Sequence, residues 1–195
     1  MFSFFGNSKN PRATSYFWNQ ILSTKDRNLI DESFSPLGDI DAKSIFDSND
    51  PFQIINIIDY LKKENLRDIA YKIIKYTDNL VDHEKISIKF HFYFQVRGEF
   101  FYRWRDIDAH ALDEAIKSFE NQISMAQVVA DMFRADGGWQ SVPAHAGYRQ
   151  LRIIEEKRGN LQAARALCEQ AKSQGWADDW DSQIKRIDKK LKGLA

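Results

Sequence analysis

The chain has 195 residues, 43% of them hydrophobic, and its 28 basic side chains are balanced by 28 acidic ones. This length suits one domain or two small ones, and the apolar share is enough for a core. The charge balance argues against a general affinity for nucleic acid or for an anionic membrane surface. One cysteine cannot form an internal disulfide and no apolar run reaches transmembrane length, so we expect a protein of the reducing cytoplasm.

The segment 1–50 is predicted to be irregular, with one or two helices. Thr14 or Ser15 can cap a first helix, because a hydroxyl oxygen accepts hydrogen bonds from the free N–H groups of a first turn. A short helix is expected around 25–34, followed by a turn signal at 36–38. The rest of the segment is rich in Ser, Asp and Asn, which is typical of irregular structure.

Residues 51–80 are predicted to form the first of three helical hairpins. Asp50 and Pro51 begin it, since an aspartate suits the N-cap and a proline suits the first helical position. A break is expected at Glu64 and Asn65. Apolar residues recur at helical spacing on both sides of this break: Phe52, Ile54, Ile55, Ile58, Leu61, Leu66, Ala70, Ile73, Ile74 and Leu80.

The second predicted hairpin, 84–126, begins with an ambiguous stretch. Apolar residues alternate from Ile86 to Val96, which is typical of a strand, but several of them also lie near one helical stripe. A lone strand among helical hairpins would leave its backbone N–H and C=O groups without partners, so we predict a helix. The second helix of this hairpin is carried by Leu112, Ala115, Ile116, Phe119, Ile123 and Ala126. An insert is predicted over 127–143, with a loop between helices from Asp136 to Pro143.

The third predicted hairpin is 144–174. Gly159 separates its two helical patterns, since glycine accepts the left-handed backbone that ends many helices. Asn160 can then cap the next helix through its side-chain oxygen. Gly175 ends that helix, and Trp176 is a candidate hydrophobic lock. The apolar face of the second helix consists of Leu161, Ala164, Leu167, Cys168 and Ala171.

A final helix is predicted over 178–192. Three aspartates near its start suit the positive end of a helix dipole. Its apolar positions are Trp180, Ile184, Ile187 and Leu191, and basic residues occupy the remaining faces. A helix that is polar on its outer side is typical of the terminal cap of a repeat array.

The pattern of helix, glycine turn and helix with small inner residues resembles a tetratricopeptide repeat. The turn glycine of that repeat matches Gly159, and its inner-face positions match Leu161, Ala164, Cys168 and Ala171. Arg152 departs from the pattern, because the first helix of the repeat usually has a glycine there. The resemblance implies an all-α fold of antiparallel hairpins stacked as a short α-solenoid over 51–195, and a plain helical hairpin is the alternative.

The C-terminal half also resembles a group of uncharacterised bacterial proteins with tetratricopeptide-like folds. The runs that carry this resemblance are 102–106, 143–151, 156–159, 175–176 and 179–181. They cover about half of the chain and are more specific for a fold than for an activity. The resemblance implies a bacterial protein with a helical-repeat fold and attaches no reaction to it.

No recognisable catalytic or metal-binding motif is present in the sequence. The four histidines, His83, His91, His110 and His145, are not paired at metal-ligand spacing, and no phosphate-binding or nucleophile motif occurs. We therefore expect no enzymatic activity, no metal and no cofactor.

The most suggestive polar set lies in the second and third hairpins: Tyr102, Arg103, Arg105, Asp106, His145, Tyr148 and Gln150. If these hairpins stack, the set would share a groove, where an arginine can hold a carboxylate or phosphate with two hydrogen bonds. The alternative is that these side chains only form ion pairs and hydrogen bonds between helices.

The sequence predicts a non-enzymatic interaction module of the adaptor, chaperone-like or toxin-immunity type. Such a module would hold a protein or peptide on the groove of a helical repeat. The alternative function is a small-ligand binder or enzyme that uses an Arg/His/Tyr pocket between the second and third hairpins. A nucleic-acid binder ranks third, and a homodimer through exposed aromatic surface stays open.

Overall fold

The structure is a computed structural model that describes residues 16–35, 41–82, 85–136 and 141–193. Of these residues, 77% are helical and none lies in a strand, which confirms the predicted all-α class. The chain divides into two compact units, Met1–Val81 and Asp82–Ala195. None of the described helices is long and apolar enough to cross a membrane.

Some sequence-based expectations concern residues outside the described ranges, and one concerns the boundary between two parts of the chain. The caps at Thr14 or Ser15, the turn at 36–38 and His83 lie outside the described residues. The division at residue 50, which separates an irregular segment from the repeats, stays a prediction.

The first unit is built from short helices. They are α1 (Thr24–Phe34), α2 (Ala42–Asp47), α3 (Pro51–Ile55) and α4 (Arg67–Asp78), with a π-helical turn at Phe17–Ile21 and 3-10 segments at Asn56–Tyr60 and Glu64–Leu66. The helix expected around 25–34 is confirmed as α1, whereas α2 was not predicted. Asp50 caps α3 by accepting a hydrogen bond from the N–H of Phe52, with Pro51 at the first position as predicted.

Aromatic contacts and isoleucines form the core of the first unit. The ring of Phe17 stacks on Tyr76, with 4.2 Å between centroids, and lies 5.4 Å from the ring of Phe46. Ile54 and Ile55 of α3 and Ile57 and Ile58 of the following 3-10 segment are buried. Burial of this apolar area stabilises the short helices, which would be marginal in isolation.

The second unit contains six of the described helices. They are α5 (Ile88–Trp104), α6 (Ala111–Ser124), α7 (Ala126–Ala135), α8 (Ala146–Lys157), α9 (Leu161–Ser173) and α10 (Trp180–Lys192). The ambiguous stretch is helical from Ile88 onward, as predicted, and Ser87 caps it by accepting from the N–H of Phe90. Helix α6 packs against α5 and α8, and α9 packs against α8 and α10.

The insert predicted over 127–143 contains a helix that was not predicted, because residues 126–135 form α7. Neither glycine nor proline interrupts the chain at Met125, where α6 ends and α7 begins. The side chains of Val129 and Phe133 are buried at a four-residue spacing, and this apolar face holds α7 on the unit.

The glycine turns are confirmed, but one predicted cap is wrong. Gly159 and Gly175 have φ angles of 81° and 78°, and Trp176 after the second turn is only 2% exposed. Asn160 does not cap α9 through its side chain. Its Nδ2 instead donates to a carboxylate oxygen of Glu155 at 2.7 Å, because a charged acceptor on the preceding helix competes for the amide.

Candidate functional site

The first part of the predicted polar set lies at the end of α5, where its contacts are local. The Arg105 guanidinium lies 4.2 Å from the centre of the Tyr102 ring and donates to the Tyr102 carbonyl at 2.6 Å. The same group pairs with Asp106 at 3.2 Å, and Arg103 is exposed. Packing on a ring and a neighbouring carboxylate hold Arg105 against its own helix end.

The second part of the set begins α8. His145 and Tyr148 are fully buried, and His145 Nδ1 caps the helix by accepting from the N–H of Tyr148 at 3.2 Å. Gln150 is half-buried. Within the described parts of the chain, no hydrogen bond, ion pair or ring contact joins Tyr102, Arg103, Arg105 or Asp106 to His145 or Tyr148. A role of the set in partner binding stays a prediction.

His145 instead belongs to a buried polar group that we call the histidine cluster: His91, Gln122, His145, Tyr148, Gln174 and Trp176. The rings of His91 and Trp176 are parallel, with 5.1 Å between centroids. The His145 ring meets both of them nearly at right angles, at 4.8 Å from His91 and 4.6 Å from Trp176. These ring contacts bring together α5, the start of α8 and the corner before α10.

Gln122 fixes the hydrogen bonding of the cluster. Its Oε1 accepts from the N–H of Gly147 at 2.8 Å, and its Nε2 lies 3.1 Å from Nε2 of His91. A Cβ on Gly147 would lie 2.9 Å from that Oε1 and 3.0 Å from the carbonyl oxygen of Phe119. Glycine is therefore required for α6 and α8 to approach this closely.

The hydrogen bonds assign the tautomers of both imidazoles. Because the amide oxygen of Gln122 faces a backbone N–H, its NH2 group faces His91, whose Nε2 must accept. His145 Nδ1 also accepts, so the protons lie on Nδ1 of His91 and Nε2 of His145. Both of these atoms are buried and have no hydrogen-bond partner in the described part of the chain.

Burial keeps both histidines neutral. It lowers the pKa of His91 to about 4 and that of His145 to about 2, and the neighbouring His91 lowers the latter further. Burial also raises the pKa of Tyr148 to about 12. The Tyr148 hydroxyl donates to Gln174 Oε1 at 2.9 Å, and the Trp176 indole donates to the same oxygen at 3.2 Å. The cluster is thus an uncharged, tightly packed part of the core.

A second polar group, the Glu156 cluster, lies at the other end of α8 and consists of Glu156, Arg152, Arg186 and Lys190. The carboxylate of Glu156 lies 2.5 Å from Arg152, 2.5 Å from Arg186 and 3.0 Å from Lys190. Its side chain is 9% exposed. Hydrogen bonds from Arg186, and then from Lys190 and Arg152, outweigh burial and lower the pKa of Glu156 to about 2.

The outer face of α7 carries accessible apolar side chains. Val128 is 43% exposed, and Met132 and Ala135 follow it at helical spacing. A shallow cavity of about 540 Å³, which we call the α5–α7 cleft, lies beside them. It is lined by Ser87, Ile88, Lys89, Met132, Ala135 and Asp136.

The sequence carried one usable signal for the histidine cluster. Gln122 follows Ala115 and Phe119 on the apolar stripe of α6, where a polar side chain needs a buried partner. His91 and Trp176 could not be linked to it, because they come together only through the packing of α5, the start of α8 and the corner before α10.

The described residues include no group of three or more His, Cys, Asp or Glu placed to hold a metal ion. Comparison of the chain with known protein families, curated proteins and solved structures finds no match.

Proposed function

We propose that the protein is a non-enzymatic interaction module that binds an amphipathic helix of a protein partner in the α5–α7 cleft. The observation that carries this proposal is the apolar face formed by exposed Val128, half-buried Met132 and exposed Ala135 beside the cleft. Contiguous apolar patches of this kind mark interaction sites, because water is released when a partner covers them.

The cleft suits a helical partner. A helix presents apolar side chains at steps of three and four residues, and such side chains can enter a shallow apolar groove. Lys89 and Asp136 stand at the rim with opposite charges, so a partner with the complementary order of charges would bind in one direction. Adaptor, chaperone-like and toxin-immunity roles all use such a surface.

We also propose that α5 with α6 and α8 with α9 are two units of a short tetratricopeptide-like array that α10 caps. The packing of α6 against α8 and of α10 against α9 supports this arrangement. The small buried residues Ala115, Ala164 and Ala171 allow the helices to approach closely. The alternative small-ligand function has less support, because His145 and Tyr148 are fully buried among other core side chains.

The proposed function is tested with Met132→Asp, which places a charge on the apolar face. The matched control is Gln127→Asp, an exposed position of the same helix. Proteins cross-linked to the tagged wild-type chain in cells that express it are identified by mass spectrometry. The purified candidate is then titrated by calorimetry against each variant, after circular dichroism shows that both are folded.

We expect the wild type and Gln127→Asp to bind with equal Kd, and Met132→Asp to bind at least about tenfold more weakly, since a buried apolar anchor is worth more than 1.4 kcal/mol. Equal binding by Met132→Asp would overturn the assignment of the cleft. If no candidate binds the wild-type chain directly, the interaction function itself is wrong.

A further inference from the structure

The two imidazoles of the histidine cluster accept hydrogen bonds at the atoms that an added proton would occupy. The Nε2 atom of His91 faces the NH2 group of Gln122, and Nδ1 of His145 faces the N–H of Tyr148. A protonated imidazole donates from both nitrogens. Each proton would therefore place a donor against a donor and break a buried hydrogen bond.

We propose that His91 and His145 form an acid-sensitive lock whose protonation releases the corner around Trp176. The rings lie 4.8 Å apart, so a charge on one also repels a charge on the other. Both rings contact Trp176, whose side chain is therefore the element that moves when the pair charges.

Among the described residues, no acidic side chain contacts the pair to offer a compensating negative charge. The polar side chains that contact it are the amide of Gln122 in α6 and the phenol of Tyr148 in α8. Gln174 at the end of α9 accepts hydrogen bonds from Tyr148 and Trp176. Charged side chains at this corner are already paired: Arg134 of α7 donates to the Gln174 carbonyl and pairs with Asp131 at 2.5 Å, and Asp178 pairs with Arg149 at 3.1 Å. The Arg134 cation opposes protonation of the nearby rings.

The corner that would be released is tied to two other parts of the second unit. The Trp176 carbonyl accepts from the indole of Trp180 at 2.7 Å, which ties the corner to the start of α10. The N–H of Ala177 donates to the Pro143 carbonyl at 3.1 Å, which ties it to the segment before α8. Movement of Trp176 would therefore free α10 and the start of α8 together.

The direct experiment follows the histidine Cε1–H resonances of the wild-type chain by NMR from pH 7.5 to pH 4, with tryptophan fluorescence in parallel. His91 and His145 should stay neutral until one cooperative step, at which the fluorescence also changes. Separate titration of the two rings near pH 6.5 with constant fluorescence would overturn the lock.

Two variants preserve the hydrogen bonds and remove the titration. In His91→Gln the new Oε1 can accept from Gln122, and in His145→Asn the new Oδ1 can accept from the N–H of Tyr148. Each should lower the midpoint of acid opening by about 1 pH unit, because one fewer proton is taken up on opening. The control His110→Gln should leave the midpoint unchanged, and variants that behave like this control would contradict the proposal.

Hydrogen exchange of the wild-type chain measures the release of the corner directly and does not depend on the folding of any variant. After correction for the intrinsic rates, the amides of Trp176, Ala177 and α10 should lose protection between pH 7.5 and pH 5.5, before those of α6. Protection that falls uniformly across the second unit, or does not fall at all, would overturn the release of this corner.

Discussion

A buried polar cluster lies at each end of α8, and the two clusters differ in charge state. At its start, the histidine cluster keeps every member uncharged and distributes a few hydrogen bonds among amides, a phenol and an indole. At its end, the nearly buried carboxylate of Glu156 stays charged because three cations surround it. The comparison teaches that burial selects the neutral form where the neighbours are neutral, and the ionised form where they carry the opposite charge.

The two clusters should therefore respond to acid in successive pH windows. The pKa values of His91 and His145 are lowered by folding, so the stability that these neutral rings contribute is complete above about pH 6.5 and falls as the pH drops below it. The pKa of Glu156 is lowered from 4.5 to about 2. Its contribution is retained until the pH falls below 4.5 and is lost toward pH 2.

The largest expected effect is the acid response of the histidine cluster. Between pH 7.5 and pH 5, each buried histidine should reduce the free energy of unfolding by about 2 kcal/mol, or about 4 kcal/mol for the pair, because the unfolded chain takes up protons that the folded one excludes. Urea unfolding at a series of pH values measures this change, and His110→Gln is the control. A free energy of unfolding that is constant over this pH range would contradict the expected acid response of the histidine cluster.

The next effect is the loss of the amide that organises the histidine cluster. Gln122→Leu leaves His91 Nε2 and the Gly147 N–H buried without partners, so we expect a loss of about 3 kcal/mol in the free energy of unfolding. Gln127→Leu on the exposed side of α7 should change it by less than about 0.5 kcal/mol. Chemical denaturation of both variants decides the point, and equal effects would mean that the amide has no special role.

A smaller loss is expected at the other end of α8. Glu156→Gln leaves Arg152, whose side chain is 11% exposed, without its carboxylate partner. We expect a loss of about 1.5 kcal/mol, limited because Arg186 and Lys190 can turn toward water. The loss should shrink when the denaturation is repeated in 1 M salt, whereas that of Gln122→Leu should persist. A salt-independent loss at Glu156 would contradict its ionic character.

The smallest effect belongs to an exposed ion pair between α8 and the turn before α10. Arg149 lies 3.1 Å from Asp178, and its side chain is 45% exposed. Arg149→Gln should cost about 0.3 kcal/mol at low salt and nothing measurable at high salt. A loss comparable to that of Glu156→Gln would contradict the expectation that solvent exposure weakens this ion pair.

Sequence reasoning predicted most of the helices and turns whose position depends on local sequence. The helix after Ser87 followed from the need to pair backbone groups, and the turns at Gly159 and Gly175 followed from glycine's backbone freedom. It missed α7, because no cap or breaker marks Met125 as the boundary between two helices. Periodicity of Val129 and Phe133 was the signal available there.

The candidate site was harder to predict, because its partners are distant in the chain. His145 and Tyr148 were singled out, yet their contacts with His91 and Trp176 depend on how α5, α8 and the corner before α10 pack. An amide at an apolar position, Gln122, was the one local sign of a buried network. Tertiary contacts of this kind are set by packing and leave no periodic pattern.

The most direct test of the account compares two surfaces in one titration of the purified partner. Met132→Asp alters the α5–α7 cleft, and Arg103→Glu alters the exposed arginine of the polar set suggested by the sequence. We predict that Met132→Asp weakens the Kd at least about tenfold and that Arg103→Glu leaves it within about twofold. The reverse result would contradict the account and place the partner at the end of α5.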